Sequence, residues 1–177
     1  MSTAFDSINH QILLDKLQDI GASVSVLEWF RSYLTLRYQA VRINTTPSDK
    51  LPDISGVPQG SILGPLLFSI YVNDLPSIPE NCLPQCYVDD TKLLMSFQRQ
   101  DKEEVMTRMN KDMLRIRYWC FSNKLLLHPD KTKLVVFGRR QMKVKVNDFR
   151  LSLLEKELEP VTVARNLGVM LDANLHR

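Results

Sequence analysis

Two adjacent carboxylates, Asp89 and Asp90, are the residues of this chain best suited to chemistry. They follow Tyr87 and Val88 and precede an apolar run that begins at Leu93. Neighbouring aspartates repel each other and strands disfavour aspartate, so a strand pair that meets here needs a reason to keep both charges. A plain hairpin turn is one explanation, because aspartate is common in turns. A hairpin that also binds a divalent cation explains the pair better, because the cation cancels the repulsion, but the two residues alone leave both interpretations open.

A second segment, residues 55–61, has the composition of a ligand-binding loop. It reads Ser-Gly-Val-Pro-Gln-Gly-Ser, and a helix with Pro65 in its first turn is predicted to follow. Small residues let a loop backbone approach a ligand, and a helix start offers free N–H groups to phosphate. Gln59 adds an amide donor and acceptor. An ordinary strand-to-helix turn is the alternative interpretation of this segment. A third candidate is Phe5, beside Ala4 at a predicted strand end, although an aromatic residue in this position is ordinarily a core residue.

Apolar spacing and punctuation by Gly and Pro predict the elements that hold these segments. Asn9 is expected to cap a first helix that Gly21 ends, and Ser25 with Glu28 forms a capping-box pattern for a second. Helices are predicted at about 10–20, 25–34, 65–75 and 102–121, and strands near 38–43, 54, 85–96, 125–127, 134–137, 143–153 and 166–171. This order predicts an α+β fold in which helices pack on one face of an antiparallel sheet.

Composition bounds the class of protein without deciding its function. The chain has 177 residues and 44% hydrophobic content, which suits one soluble domain or a piece of a larger one. Cys82 and Cys86 lack a second Cys/His pair for a zinc site, so buried free thiols are expected for these residues and Cys120. The sequence shows neither a signal peptide nor a transmembrane span, and we expect an intracellular, soluble protein without membrane partners, in nucleus or cytoplasm.

Charge is unevenly distributed along the chain. Residues 1–98 hold 6 Lys/Arg against 10 Asp/Glu, whereas residues 99–145 hold 13 against 5. A basic middle beside an acidic front fits a chain that contacts a polyanion with one part and binds cations with another. A helix with a solvated, charged face accounts for the same counts.

Taken in order, the motifs resemble those of the reverse transcriptases, in particular the branch found in non-LTR (LINE-like) retrotransposons. Residues 1–6 resemble the tail of the first palm motif of that family, and Tyr87-Val88-Asp89-Asp90-Thr91 resembles the third. The second motif resembles residues 55–65 together with Phe68 and Asn73-Asp74-Leu75-Pro76. The fourth resembles the helix predicted at 102–121 and the segment 123–138, which contains Lys131-Thr132-Lys133. The fifth resembles Asn166-Leu167-Gly168-Val169 with Asp172. The resemblance covers nearly the whole chain, in the order and at the spacings of the family.

The resemblance implies a palm fold and an RNA-directed DNA polymerase that uses two Mg²⁺ ions, with Mn²⁺ as a substitute, and no small-molecule cofactor. These ions would activate the primer 3′-hydroxyl and stabilise the leaving pyrophosphate. Asp89 then corresponds to a metal ligand and Asp90 to its supporting neighbour in the same catalytic pair. Lys131 corresponds to a catalytic lysine that neutralises or protonates pyrophosphate.

The same resemblance assigns binding roles to five further residues. Phe5 corresponds to the aromatic residue that crowds the sugar 2′ position and selects deoxynucleotides. Gln59 and Gly60 would lie against the incoming nucleotide and the template, and Leu167 with Gly168 would form the primer grip. The implied partners are an RNA template, a DNA primer and deoxynucleoside triphosphates.

Two departures from the family pattern qualify these expectations. The first-motif aspartate would stand one residue before Met1, and fingers and thumb are expected to be largely missing. We therefore expect a partial palm domain, with palm motifs in about 1–140 and the primer-grip region in about 141–177, that is inactive by itself. The alternatives are a non-catalytic nucleic-acid-binding relic and a decayed open reading frame.

Overall fold

The computed structural model describes residues 4–58, 60–138 and 148–173, and over these ranges the chain is a mixed α+β protein. The four α-helices of this part are α1 (His10–Asp19), α2 (Val24–Leu34), α3 (Leu63–Tyr71) and α4 (Lys102–Ser122). The strands are β1 (Tyr38–Gln39), β2 (Arg42–Ile43), β3 (Thr46–Pro47), β4 (Leu51–Pro52), β5 (Leu83–Tyr87), β6 (Asp90–Leu94), β7 (Leu151–Leu153), β8 (Lys156–Leu158), β9 (Val163–Asn166) and β10 (Val169–Asp172).

These strands pair two by two, as β1–β4, β2–β3, β5–β6, β7–β8 and β9–β10. The α+β class is therefore confirmed, and the pairing is antiparallel in β1–β4, β2–β3, β7–β8 and β9–β10. The described strands form separate two-stranded sheets, whereas the sequence predicted one continuous sheet. β1 pairs with β4 around the inner β2–β3 pair, and each of the other strands pairs with its neighbour in sequence. Hydrophobic periodicity carries no information about which strands pair.

The helix ends show why these segments are helical. The Asn9 side chain accepts a hydrogen bond from Ile12 N at 3.1 Å and caps α1, as predicted. Gly21, at φ +95°, ends the same helix. The predicted capping box of α2 is wrong, because that helix begins after Ser23 instead of at Ser25.

One pair of predicted strands is also wrong. Residues 125–127 form no strand, because Lys124 turns left-handed at φ +54° and Leu125 N donates to Cys120 O at 2.9 Å, which closes the end of α4. Residues 134–137 form only an isolated bridge, from Leu134 to Pro160. The segment predicted as a strand at 143–153 lies partly outside the described residues, and its end forms β7.

The chain divides into two compact units, each with its own core. Unit 1 holds the described residues of 1–75, 86–91 and 120–126, and unit 2 holds those of 76–85, 92–119 and 127–177. In unit 1, α1 packs against α2 and α3. The buried residues of this core are Ile8, Leu13, Leu14, Leu17, Leu34, Val57, Leu67, Phe68 and Tyr71. In unit 2, Val105 and Met113 of α4 pack with Leu134, Phe149, Leu151, Leu153 and Leu158.

A buried tyrosine ties the helices of unit 1 together. Tyr71 is fully buried at the end of α3, its hydroxyl donates to Asn123 O at 2.6 Å, and it accepts a bond from Asn9 N at 3.3 Å. Burial raises the pKa of this hydroxyl further above neutrality, and the hydroxyl is protonated at neutral pH. No helix in the described part of the chain is long and apolar enough to cross a bilayer.

Candidate active site

The two segments that precede and follow the first helices are joined backbone to backbone. The loop 55–57 lies against the turn 5–8, although the two are about fifty residues apart in sequence. The bonds run from Val57 N to Phe5 O (3.0 Å), from Gly56 N to Ile8 O (2.7 Å) and from Ser55 Oγ to Asp6 O (3.0 Å). Two of the three predicted motifs therefore meet within unit 1.

Gly56 makes this close approach possible. Its φ is +87°, and a Cβ added at this position would lie 2.8 Å from Asp6 Cα and 2.9 Å from Phe5 O. Because both neighbours are backbone atoms, neither can move aside without shifting the turn 5–8. Glycine meets both the left-handed conformation and the space available.

We expect Gly56→Ala to lower the free energy of unfolding by about 3 kcal/mol or more, since it adds a steric clash to a cost of roughly 1–2 kcal/mol for the left-handed backbone. Gly21→Ala is the matched control, because Gly21 has φ +95° but a Cβ there would meet nothing within 4 Å. Urea denaturation of both variants measures the difference. Equal losses in the two variants would show that the packing of Gly56 on the turn contributes nothing.

The Phe5 side chain is held by an aromatic contact. Its ring stacks on that of Phe68 with centroids 4.9 Å apart and an interplanar angle of 29°. Phe68 is almost fully buried on α3, and Phe5 packs against the same core while remaining half-buried. The accessible part of Phe5 is thus presented in one orientation by a rigid helix.

The two aspartates lie at the tip of the β5–β6 pair, as predicted. Val88 and Asp89 connect the strands, and Asp90 begins β6. Val88 has φ +52°, a conformation that a β-branched residue rarely adopts and that costs on the order of 1–3 kcal/mol. The Asp89 and Asp90 side chains are half-buried. Backbone strain at such a tip is common where a turn must present one side chain in a defined direction.

The donor chemistry of this tip suits a hard divalent cation. Within the described residues, no group of three or more His, Cys, Asp and Glu side chains is arranged to hold a metal ion. Mg²⁺ is usually bound by one or two carboxylates together with waters and substrate phosphates, and rarely by a cage of protein ligands. Asp89 and Asp90 supply two such carboxylates, so the residues present fit a cation that a substrate helps to bind.

The predicted site residues are distributed over both units. Phe5, Gly60, Asp89 and Asp90 belong to unit 1, whereas Lys131, Leu167 and Gly168 belong to unit 2. Gln59 lies outside the described residues. Gly60 is exposed at φ +79°, and a Cβ there would meet no described atom within 4 Å, which leaves room beside the loop.

The fourth and fifth predicted motifs are both turns in unit 2. Lys131 is exposed in a turn closed by its own N–H on His128 O at 3.1 Å. Leu167 and Gly168, at φ +46° and +84°, form the two-residue connection between β9 and β10. Two successive positive φ values are those of the tight hairpin turns whose twist matches the flanking strands. The segment predicted as one strand at 166–171 therefore contains the end of β9, the turn and most of β10.

Sequence reasoning missed His10 as a residue of this site. Its Nε2 lies 2.8 Å from Gly56 O, so the side chain secures the loop from the first turn of α1. The residue stands one position after the Asn9 cap, and its spacing carries no signal of this long-range contact. Its role here is to position the loop.

The basic middle of the chain is partly neutralised. Lys102 pairs with Asp148, Arg108 with Glu104, and Arg115 with Glu80 and Asp112. Glu104 and Asp112 are already counted among the acids of 99–145, but Asp148 and Glu80 lie outside that range, so these two reduce the positive charge below the surplus counted in the sequence.

The three cysteines are free thiols, and Cys82 and Cys120 are buried, as expected. Cys86 is exposed, so the expectation of a buried thiol is wrong for this residue. Burial raises the pKa of Cys82 to about 12, and the nearby Asp112 adds to this shift through a hydrogen bond and its charge. Burial raises the pKa of Cys120 to about 11. Both thiols are protonated at neutral pH.

We expect a thiol reagent at pH 8 to modify Cys86 rapidly. Cys82 and Cys120 should react slower by on the order of 10³-fold or more, since the thiolate is the reactive form. A disulfide reagent followed by absorbance measures the two phases. Cys86→Ser should remove the fast phase, and urea should make all remaining thiols reactive. A fast phase of more than one thiol in the native chain would contradict the burial of Cys82 or Cys120.

Comparison with known proteins identifies the family to which this chain belongs. The profile of the family described as reverse transcriptase (RNA-dependent DNA polymerase) matches residues 1–171. The probable RNA-directed DNA polymerase from transposon BS of Drosophila melanogaster is 30% identical over 99% of this chain and 20% of its own length. That from transposon X-element of the same organism is 27% identical over 97% of the chain and 19% of its own length. The RNA-directed DNA polymerase from mobile element jockey, also of this fly, is 35% identical over 51% of the chain and 11% of its own length.

The chain thus spans about a fifth or less of the length of these relatives. The expected resemblance to reverse transcriptases of non-LTR retrotransposons is confirmed by these matches. Members of the family act with divalent metal ions on a nucleic-acid template and nucleotide substrates. With 171 of its residues matched in one run, the chain belongs to the reverse transcriptase (RNA-dependent DNA polymerase) family.

Proposed function

We propose that this chain supplies the palm of an RNA-directed DNA polymerase of a non-LTR retrotransposon, which extends a DNA primer with deoxynucleotides on an RNA template. The observation that carries the proposal is the meeting of motifs in unit 1. The loop 55–57 is bonded to the turn 5–8, and the strained tip with Asp89 belongs to the same unit. Short motifs far apart in sequence are thereby held on one framework.

In this proposal Asp89 is the direct ligand of the catalytic Mg²⁺, for which Mn²⁺ is a substitute, and Asp90 supports it. Bound divalent ions supply charge stabilisation and activate the primer 3′-hydroxyl. The protein contributes the placement of the carboxylate, because the positive φ of Val88 sets the direction of the tip. Lys131 is proposed to neutralise or protonate the leaving pyrophosphate.

The remaining residues are proposed to position the substrates. Phe5, whose ring orientation is set by Phe68, crowds the sugar 2′ position and so favours deoxynucleotides. Gln59 and Gly60 contact the incoming nucleotide and the template, and the turn of Leu167 and Gly168 grips the primer end. We place the palm motifs in about 1–140 and the primer-grip region in about 141–177.

The test is steady-state primer extension on an RNA template by a longer polypeptide that carries this chain, the first-motif aspartate and the flanking regions of its relatives. We expect extension that needs Mg²⁺ or Mn²⁺ and prefers deoxynucleotides to ribonucleotides. A polypeptide that folds and binds the primer–template but never extends it would contradict the proposal and favour a non-catalytic nucleic-acid-binding protein.

A further inference from the structure

Helix α2 carries an exposed aromatic stack that no residue of the proposed active site uses. Trp29 and Tyr33 stand one helical turn apart, and their rings are parallel to within 6° with centroids 5.5 Å apart. The guanidinium of Arg37 lies 5.7 Å from the centroid of the Tyr33 ring. We call these three residues the Trp29 stack.

The Trp29 ring at the end of the stack is accessible to solvent. Trp29 is 54% exposed, although its edge contacts Phe30, which packs against the core of unit 1. An exposed tryptophan is unusual, because its large apolar surface is normally buried. The contact with Phe30 and the stacking on Tyr33 hold the ring in place, so a planar partner would find a rigid surface.

The stack carries a guanidinium, and the surrounding charge is close to balanced. Helix α2 and its exit segment hold Arg31, Arg37 and Arg42 against Glu28. The segment 46–53 that pairs with the exit segment adds Lys50, Asp49 and Asp53, and Asp53 N donates to Arg37 O at 2.8 Å. Glu28 is the immediate neighbour of Trp29 on the helix and so points about 100° away from it. Parallel aromatic rings with a guanidinium on the stack are together the features on which unpaired bases of a nucleic acid stack.

We propose that the Trp29 stack binds single-stranded RNA, with a base stacked on Trp29 and the backbone phosphates near the arginines. The choice of RNA rests on the proposed function, in which the unpaired strand is the RNA template while the primer is paired. The surface is formed by one helix and its exit segment within unit 1, so it does not depend on the aspartates.

The experiment uses the full chain and an unstructured 12-nucleotide RNA. Trp119, the second of the two tryptophans, is buried, so quenching of tryptophan fluorescence on RNA addition reports on Trp29. Affinity is measured separately by the anisotropy of labelled RNA. We expect Trp29→Ala to weaken binding about tenfold or more, and Trp29→Phe to abolish the quenching while keeping the affinity within about threefold of the parent, since Phe still stacks.

Matched variants separate stacking from charge and from general damage. Arg37→Gln should weaken binding and reduce the slope of log affinity against log salt by about one. Leu126→Ala, a truncation of another exposed apolar side chain of unit 1, should leave affinity unchanged. Circular dichroism confirms that each variant is folded.

Three results would overturn the proposal. They are an absence of RNA binding or of quenching by the parent chain, equal RNA affinity of Trp29→Ala and the parent, and tighter binding of single-stranded DNA than of RNA. A change in oligomeric state on Trp29→Ala at unchanged RNA affinity would assign the surface to protein contact. Failure of primer extension with Trp29-dependent RNA binding intact would refute the proposed function alone, so the two failures are distinguishable.

Discussion

Replacing Asp89 with asparagine is expected to slow primer extension by roughly 10³-fold or more, which corresponds to about 4 kcal/mol of transition-state stabilisation. The amide keeps the size of the side chain but removes a negative charge from a site proposed to hold divalent cations. Neutral amide oxygens are poorer Mg²⁺ ligands than carboxylates. The measurement is steady-state extension on an RNA template by the longer polypeptide, after matching parent and variant for folding by circular dichroism.

Asp6→Asn is the control for this prediction. Asp6 is exposed in the short turn that precedes α1, and the main chain of that turn makes the contacts with the loop 55–57. Because those contacts use the Asp6 carbonyl, an amide side chain preserves them, and the loss of activity should be mild. Equal losses in the two variants would mean that the metal ligand is wrongly assigned to Asp89.

A large loss of stability is expected from replacing Asp112, which is fully buried on α4 in unit 2. Its carboxylate accepts hydrogen bonds from the backbone N–H groups of Glu80, Asn81 and Cys82, from Asn81 Nδ2 and from Arg115 Nη1, all between 2.8 and 3.1 Å. The carboxylate thus organises the 80–82 segment that leads into β5. Without it the N–H of Cys82 would be left buried and unsatisfied, and the part-buried N–H groups of Glu80 and Asn81 would lose their acceptor.

Asp112→Asn is therefore expected to lower the free energy of unfolding by on the order of 3 kcal/mol, as removal of one partner of a buried charged network generally does. The NH₂ group of the new asparagine would face the N–H donors that the carboxylate now accepts from. Arg115 would also lose its charged partner in the helix. Chemical denaturation measures the loss. Glu80→Gln is the matched control, because the Arg115–Glu80 ion pair is exposed and its loss should cost under about 1 kcal/mol.

The same carboxylate should make stability depend on pH. Burial alone would raise the pKa of Asp112, but the hydrogen bonds from the 80–82 segment outweigh it and hold the pKa well below its usual range. A lowered native pKa means that the stabilisation is complete above the unfolded value, about 4. It is lost as pH falls through the native pKa. Asp112→Asn should flatten the acid limb of the stability profile, and an unchanged limb would contradict this account.

Local signals in the sequence were sufficient to predict most helices and the turn between β5 and β6 that carries Asp89. Asn9, Gly21 and the apolar stripe of α4 predict α1 and α4 correctly, because capping and helical periodicity depend on residues a few positions apart. Asp89 and Asp90 at a hairpin were predictable for the same reason. Asp112 was missed, although it lies on the buried stripe of α4, where a carboxylate signals a hydrogen-bonded network.

The sequence by itself determined the family, the order of the motifs and the residues proposed for chemistry, since these are properties of residue type and spacing. Only the tertiary structure decided which motifs touch. The bond of Gly56 to the turn 5–8, the reach of His10 over 46 positions and the grouping of strands in pairs depend on chain segments far apart in sequence. Local patterns cannot specify such contacts, because a left-handed glycine or a buried donor is compatible with many partners. Packing of the whole unit selects one of them.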